Sequence, residues 1–157
     1  MKKITLITNK NYTVIHFRKK LIEKLLDDGY DVSLIIVEDS SERVNIDNVE
    51  IHYIAGGNRS INPFKKISIQ KDIEHILNKI KPDIAFTFQL TPNIFGVNAC
   101  KSCHINKVYS MVEGIGDVFS YNTLKWKIIR IFVSSLLKRS FSYVNKVFFL
   151  NDDDMIH

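Results

Sequence analysis

Lys3–Val37, KITLITNKNYTVIHFRKKLIEKLLDDGYDVSLIIV, is the stretch whose reading decides the fold. Lys3–Thr8 alternates and is rich in β-branched residues, as a strand does. Asn9-Lys10-Asn11-Tyr12 is a polar turn, and Thr13 stands where a helix cap is wanted. From there to Asp28, Val14, Phe17, Leu21, Ile22, Leu25 and Leu26 recur at helical spacing and should form one buried stripe, with Gly29 ending the helix. Asp31–Val37 is almost wholly apolar, as befits a strand covered on both faces. Strand, helix, strand is a right-handed βαβ crossover, so the first two strands lie parallel.

Outward from that unit the same alternation continues. Glu38–Asn48 reads as a polar loop, and Val49–Ile54 as a third strand. Gly56–Pro63 is a glycine-rich loop closing on a proline that starts a helix to about Ile80, whose stripe is Ile67, Ile69, Ile73, Ile76, Leu77 and Ile80. Asp83–Phe88 is a fourth strand. Thr91 before Pro92 suggests a cap followed by proline at the first helical position, for a short helix to about Ser102. Lys107–Val112 is a fifth strand and runs into Glu113-Gly114-Ile115-Gly116. A helix over Asn122–Tyr143 and a strand over Lys146–Leu150 complete the pattern. The expected fold class is therefore α/β: a single Rossmann-like domain over residues 1–157, built on a doubly wound parallel sheet of about six strands.

Composition places the chain among ordinary soluble domains, 45% hydrophobic and 25% charged. The formal charge of +5 is unevenly spread, with no Asp or Glu between Val118 and Leu150. The apolar run at the N-terminus stops at Asn9, too soon for a signal-peptide core, and no run approaches the roughly 18 residues of a membrane span. A cytoplasmic location, with contact at the inner face of the membrane, is expected. Neither Gly-x-Gly-x-x-Gly after the first strand nor a Walker-type Gly-x4-Gly-Lys-Ser/Thr is present. Cys100, Cys103 and His104 spell the C-x-x-C-H of haem attachment, which requires an exported, oxidising setting; a redox or metal dithiol and two reduced, packed thiols are the other readings.

Ligands of open α/β sheets lie beyond the carboxyl ends of the strands. Those ends carry Asn9, Lys10, Asn11 and Tyr12; Arg59; Gln89, Thr91 and Asn93; then Glu113, Gly114 and Gly116. Such polar groups suit a hydroxyl-rich ligand, and Lys10 and Arg59 suit phosphate. Glu113 is open to three roles: accepting turn N–H groups, hydrogen-bonding a sugar hydroxyl, or serving as a general base. The helix after it carries Leu124, Ile128, Ile131, Phe132, Leu136 and Leu137, widened by Trp126, Ile129 and Val133. It is either core or a contact with anionic lipid through Lys125, Trp126, Lys127 and Arg130; nucleic acid has no reader motif here.

Four segments together resemble the N-terminal half of bacterial family 4 glycosyltransferases with the two-domain GT-B fold: ITNKNYTVIHFRKKLIEKLLDDGYDV, NRSINPFKKI, KPDIAFTFQLTPNIFGVNACK, and VYSMVEGIGDVF with the basic helix and NDDD beyond it. The resemblance implies a sugar transferase of capsule- or O-antigen-type polysaccharide synthesis. It implies that this domain holds a lipid-linked acceptor while a C-terminal half, beyond this chain, binds the nucleotide-sugar donor. It implies no metal or other cofactor, and no transfer by these residues alone. On that pattern Asn9–Tyr12, Gln89–Asn93 and Glu113–Gly116 form the acceptor wall; where many relatives carry a histidine, this chain has Glu113. The competing expectation is a stand-alone, non-catalytic Rossmann- or flavodoxin-like binding module.

Overall fold

The computed structural model describes residues 1–38, 43–55, 63–113 and 123–150. Six strands, β1 (Lys3–Thr8), β2 (Asp31–Ile36), β3 (Val49–Tyr53), β4 (Ile84–Phe88), β5 (Val108–Val112) and β6 (Lys146–Phe149), form one sheet in the order β3-β2-β1-β4-β5-β6. Every pairing is parallel, with β1 central: Leu6 lies opposite Leu34 on one side and Phe86 on the other. The order reverses between β1 and β4, which is where such sheets open a crevice for ligands.

Alternation along the strands separates two cores. On one face Ile4, Leu6, Val32, Leu34, Ile36 and Phe88 pack with Val14 and Ile22 of the segment that follows β1. On the other, Ile7, Ile35, Ala85 and Val108 pack with Ile69, Ile73 and Leu77 of α3 (Pro63–Ile80) and with Val97 and Cys100 of α4 (Val97–Ser102). Strand and helix bounds fall within about two residues of those read from periodicity. Cys100 is fully buried and its thiol is pushed up by desolvation, while the Cys103 Sγ lies 3.6 Å from the Glu74 carbonyl. Cys100 is thus part of the core, out of reach of a haem; among the described residues no cluster of three or more His, Cys, Asp or Glu could hold a metal.

The helix after β1 departs from the sequence reading. It starts as α1 (Asn11–Thr13), widens into a π-helical turn π1 (Val14–Arg18), and continues as α2 (Lys19–Asp27). Lys10 occupies the cap position; Thr13 is already inside the helix and its hydroxyl donates back to the Lys10 carbonyl at 2.7 Å. A π turn absorbs one extra residue, and the buried positions around it, Val14, Arg18 and Ile22, fall four apart. Phe17, expected inside, is 61% exposed, and Arg18, its neighbour, is only 7% exposed.

A second π-helical turn, π2 (Pro92–Gly96), follows β4 and leads into α4. Thr91 is not a side-chain cap: its backbone is helical and its side chain bonds no cap N–H, although Pro92 does open the turn. Gly96 lets this turn lie close on the sheet, for a Cβ there would stand 3.4 Å from Thr87 Cγ2 and 3.5 Å from Ile7 Cγ2. The last helix, α5 (Leu124–Phe141), is anchored by Ser140, which donates to the Ile94 carbonyl of π2. Its stripe is divided: Leu124, Ile128, Ile131 and Phe132 are 61–76% exposed, whereas Leu136 and Leu137, like Trp126, Ile129 and Val133, are half-buried. The purely internal reading of this helix is therefore overturned.

The close approach at Gly96 makes a size-dependent prediction. Gly96→Ala should change stability by no more than about 1 kcal/mol, because the added methyl makes ordinary contacts and gains helix propensity. Gly96→Val should cost about 1–3 kcal/mol by overpacking against Thr87 and Ile7, as read from urea unfolding.

Candidate functional site

The carboxyl ends of β1, β4 and β5 are stitched together by side chains that sequence reading had placed at a ligand rim. Gln89 adopts a left-handed backbone (φ 72°) immediately after β4. Its Oε1 accepts the Asn9 N–H at 3.0 Å and the Thr8 hydroxyl at 3.2 Å, while its own N–H donates to the Met111 carbonyl of β5. One residue therefore binds three strand ends. Its carboxamide oxygen is committed to β1.

Asn93 is buried for a similar reason. Thr87 of β4 donates to Asn93 Oδ1 at 2.8 Å, and the Asn93 amide donates to the Met111 carbonyl at 2.9 Å. The Thr87 hydroxyl, having donated once, accepts from Ser110 of β5 at 2.7 Å. Asn93 thus completes a buried polar network, the arrangement that such groups need away from water. Asn11 is also buried: its N–H donates to Glu38 Oε2 at 2.7 Å and its Oδ1 accepts the Tyr53 hydroxyl at 2.9 Å. Glu38, at the end of β2, supplies the carboxylate that meets the start of α1, a placement favoured by the helix dipole.

Of the remaining rim residues, Asn9 and Thr91 are half-buried, and Lys10 and Tyr12 are exposed. Arg59, Gly114 and Gly116 lie outside the described residues, as do the glycine-rich loop 56–62 and the acidic stretch after β6. On α5, Lys125 and Lys127 are exposed while Trp126 and Arg130 are half-buried.

Glu113 has a partner that the sequence did not disclose. Arg18, turned inward at the end of π1, forms an ion pair through Nη2 with Glu113 Oε1. Both side chains are nearly out of solvent, 8% and 12% exposed. The guanidinium lies over the Phe88 ring, 4.1 Å from its centroid, and Nη1 donates to the Phe17 carbonyl at 3.3 Å. Arg18 thereby spans from the element after β1, across the end of β4, to the end of β5. Desolvation lowers the guanidinium to about 10, so it stays charged at neutral pH. A buried cation needs its counter-charge, and Glu113 provides it. Arg18 and Glu38 are the contributors that sequence reasoning missed. Arginine reads by residue type as a surface side chain, although the helical period sets position 18 between Val14 and Ile22, and Glu38 reads as loop.

This pairing sets up a double-mutant cycle. Arg18→Met keeps the packing on Phe88 but strands Glu113, and should cost about 3–5 kcal/mol in urea unfolding. Adding Glu113→Gln should restore most of that loss, since exchanging a buried pair for neutral groups is close to neutral. Simple additivity of the two single losses would mean that the residues are not coupled.

With the geometry in hand, comparison with known proteins is informative. The family model described as glycosyl transferase 4-like matches residues 3–151. A Campylobacter jejuni enzyme, N,N'-diacetylbacillosaminyl-diphospho-undecaprenol alpha-1,3-N-acetylgalactosaminyltransferase, is 23% identical over 153 residues, covering 97% of this chain and 41% of that protein. Among solved structures, Acinetobacter baumannii MurG superposes with a TM-score of 0.68 at 14% identity, over 98% of this chain and 42% of its own. Sucrose-phosphate synthase from Thermosynechococcus elongatus gives 0.66 at 11% identity, over 94% and 42%. The chain spans about two-fifths of the length of these relatives, and its sheet has the architecture of one half of a GT-B fold. From the match across nearly its whole length, this chain belongs to the glycosyl transferase 4-like family.

Proposed function

We propose that this domain is the acceptor-side half of a glycosyltransferase that moves a sugar from a nucleotide-sugar donor to a lipid-linked or growing glycan acceptor. The observation that carries the reading is the family match over residues 3–151 in a chain two-fifths the length of its relatives. The name of the Campylobacter relative, whose substrate is an undecaprenol-linked diphospho-sugar, supports a lipid-linked acceptor here; surface polysaccharide synthesis, of capsule or O-antigen type, is the setting we assign to it. The acceptor lies along the β1, β4 and β5 ends, near Asn9, Lys10, Tyr12, Gln89 and Thr91; Arg59, Gly114 and Gly116, outside the described residues, belong to the same proposed acceptor set. Asn11 and Asn93 shape that wall from behind, because their polar atoms are already engaged. Glu113, committed through one oxygen to Arg18, is suited to receive a hydroxyl hydrogen bond through the other rather than to take up a proton. The donor is bound by a second half or partner chain, and these residues alone transfer no sugar.

The same reading places the domain on the inner face of the cytoplasmic membrane. Among the described residues no helix is long and apolar enough to cross a bilayer. The support is α5, whose exposed Leu124, Ile128, Ile131 and Phe132 form one face flanked by exposed Lys125 and Lys127. Apolar side chains beside cations suit an anionic interface.

Two measurements test these statements. The purified chain should bind a short-chain polyprenyl diphosphate carrying N-acetylhexosamine, followed by NMR titration, and should show no transfer from a nucleotide sugar until a donor-binding half is supplied. Transfer by the chain alone, or binding of the nucleotide sugar in place of the acceptor, would refute the assignment. In flotation with phosphatidylglycerol-containing vesicles, Ile131→Glu combined with Phe132→Glu should lower the bound fraction about tenfold or more. Equal flotation of the wild type with neutral vesicles would remove the anionic-surface role.

A further inference from the structure

The π-helical turn after β1 has a second consequence, on the solvent side. In an α-helix residues five apart point about 140° away from each other, so Tyr12 and Phe17 would not meet. The i to i+5 geometry of the π turn brings them onto one face. Their ring centroids are 5.9 Å apart in an edge-on arrangement (75°), and His16 fills the corner between them, 4.2 Å from Tyr12 and 6.5 Å from Phe17. Tyr12 and Phe17 are 59% and 61% exposed, and Ile15 beside them is 50% exposed. Lys10, also exposed, precedes the cluster, and the whole group follows directly on the carboxyl end of β1, at the edge of the β1/β4 crevice.

From this arrangement we infer that Tyr12, His16 and Phe17 form a carbohydrate subsite, a cupped aromatic platform on which the pyranose ring of the acceptor stacks its apolar C–H face. The inference rests on the acceptor reading above and names the part of the acceptor that this element receives. Three observations select a sugar ring over a lipid chain. The rings stand at angles to one another, making a small corner rather than a strip. Exposed Lys10 stands two residues before Tyr12, a donor of the kind that the hydroxyl rim of a sugar requires. An extended apolar face already exists elsewhere, on α5, where a polyprenyl chain or bilayer would be better matched.

The test uses the purified chain and two probes: a short-chain polyprenyl diphosphate carrying one N-acetylhexosamine, and the same diphosphate without the sugar. Saturation-transfer NMR should place the sugar C–H protons against the protein's aromatic rings, and titration gives both affinities. Phe17→Ala and Tyr12→Ala are exposed changes, and retention of the wild-type far-UV spectrum and melting temperature checks that the fold is intact. Each should weaken the sugar-bearing probe about three- to tenfold and leave the sugar-free probe unchanged, while Phe17→Trp should restore binding. Unchanged affinity for the sugar-bearing probe in both alanine variants overturns the subsite while the acceptor reading stands. Equal weakening of both probes overturns it in favour of a lipid-chain contact. Failure of the wild type to bind either probe overturns the acceptor reading, and the subsite with it.

Discussion

A guanidinium held out of water between three strand ends is the constraint around which this rim is built. Arg18 must be charged at neutral pH, must lie flat on Phe88 and must reach Glu113, and each demand fixes a different part of the chain. The stacking on Phe88 fixes the height of π1 over β4. The ion pair ties the end of β5 to the helix after β1. Because an unpaired buried charge is heavily penalised, neither partner can be relocated without the other. The topological switch between β1 and β4 is thus closed on one face by a specific polar contact rather than by apolar packing alone.

Around that contact the strand-end polar residues do more scaffolding than their positions advertise. Gln89 takes a backbone conformation uncommon for a non-glycine residue, and the hydrogen bonds to β1 and β5 compensate for it. Asn93 and Thr87 extend the same stitching into the buried layer beneath π2, and Asn11 with Glu38 and Tyr53 does so across β1, β2 and β3. A ligand arriving at this rim meets an edge whose polar groups are prepositioned by one another. Such preorganisation lowers the ordering cost of binding.

Legibility from sequence followed the range of the interactions. Strands and most helix bounds were readable because alternation, β-branched runs and the Gly29 stop act locally. The register of the helix after β1 was not, since Val14, Phe17 and Leu21 satisfy a straight 3.6-residue period and nothing local announces an extra residue. The partner that Arg18 meets inside, Glu113, is distant in sequence and so equally invisible to a local reading. Thr13 and Thr91 misled for a related reason: each is a good cap by residue type, but the helices begin earlier, at positions set by Glu38 and by the Gln89 carbonyl. On α5 the periodicity was legible, and its orientation stayed open between the core and an anionic surface. An apolar stripe says that one face wants cover without saying which layer supplies it, and here Ser140 and the half-buried Trp126 side turn inward instead.

The energetics of π1 bear on whether the rim is merely structural. A chain selected for stability alone would bury Phe17, for about 1.5–3 kcal/mol, and would not desolvate a cation at position 18. The observed register does the reverse on both counts. The ion pair and the stacking on Phe88 offset the burial of Arg18, but neither compensates for leaving Phe17 and Tyr12 largely in solvent. Local choices that run against stability concentrate at functional sites. This one is located at the strand ends flanking the crevice where open α/β sheets take their ligands. The π turn that sets the rings edge to edge also carries Arg18 at its end, so the electrostatic clamp under the rim and the aromatic surface above it belong to one helical element.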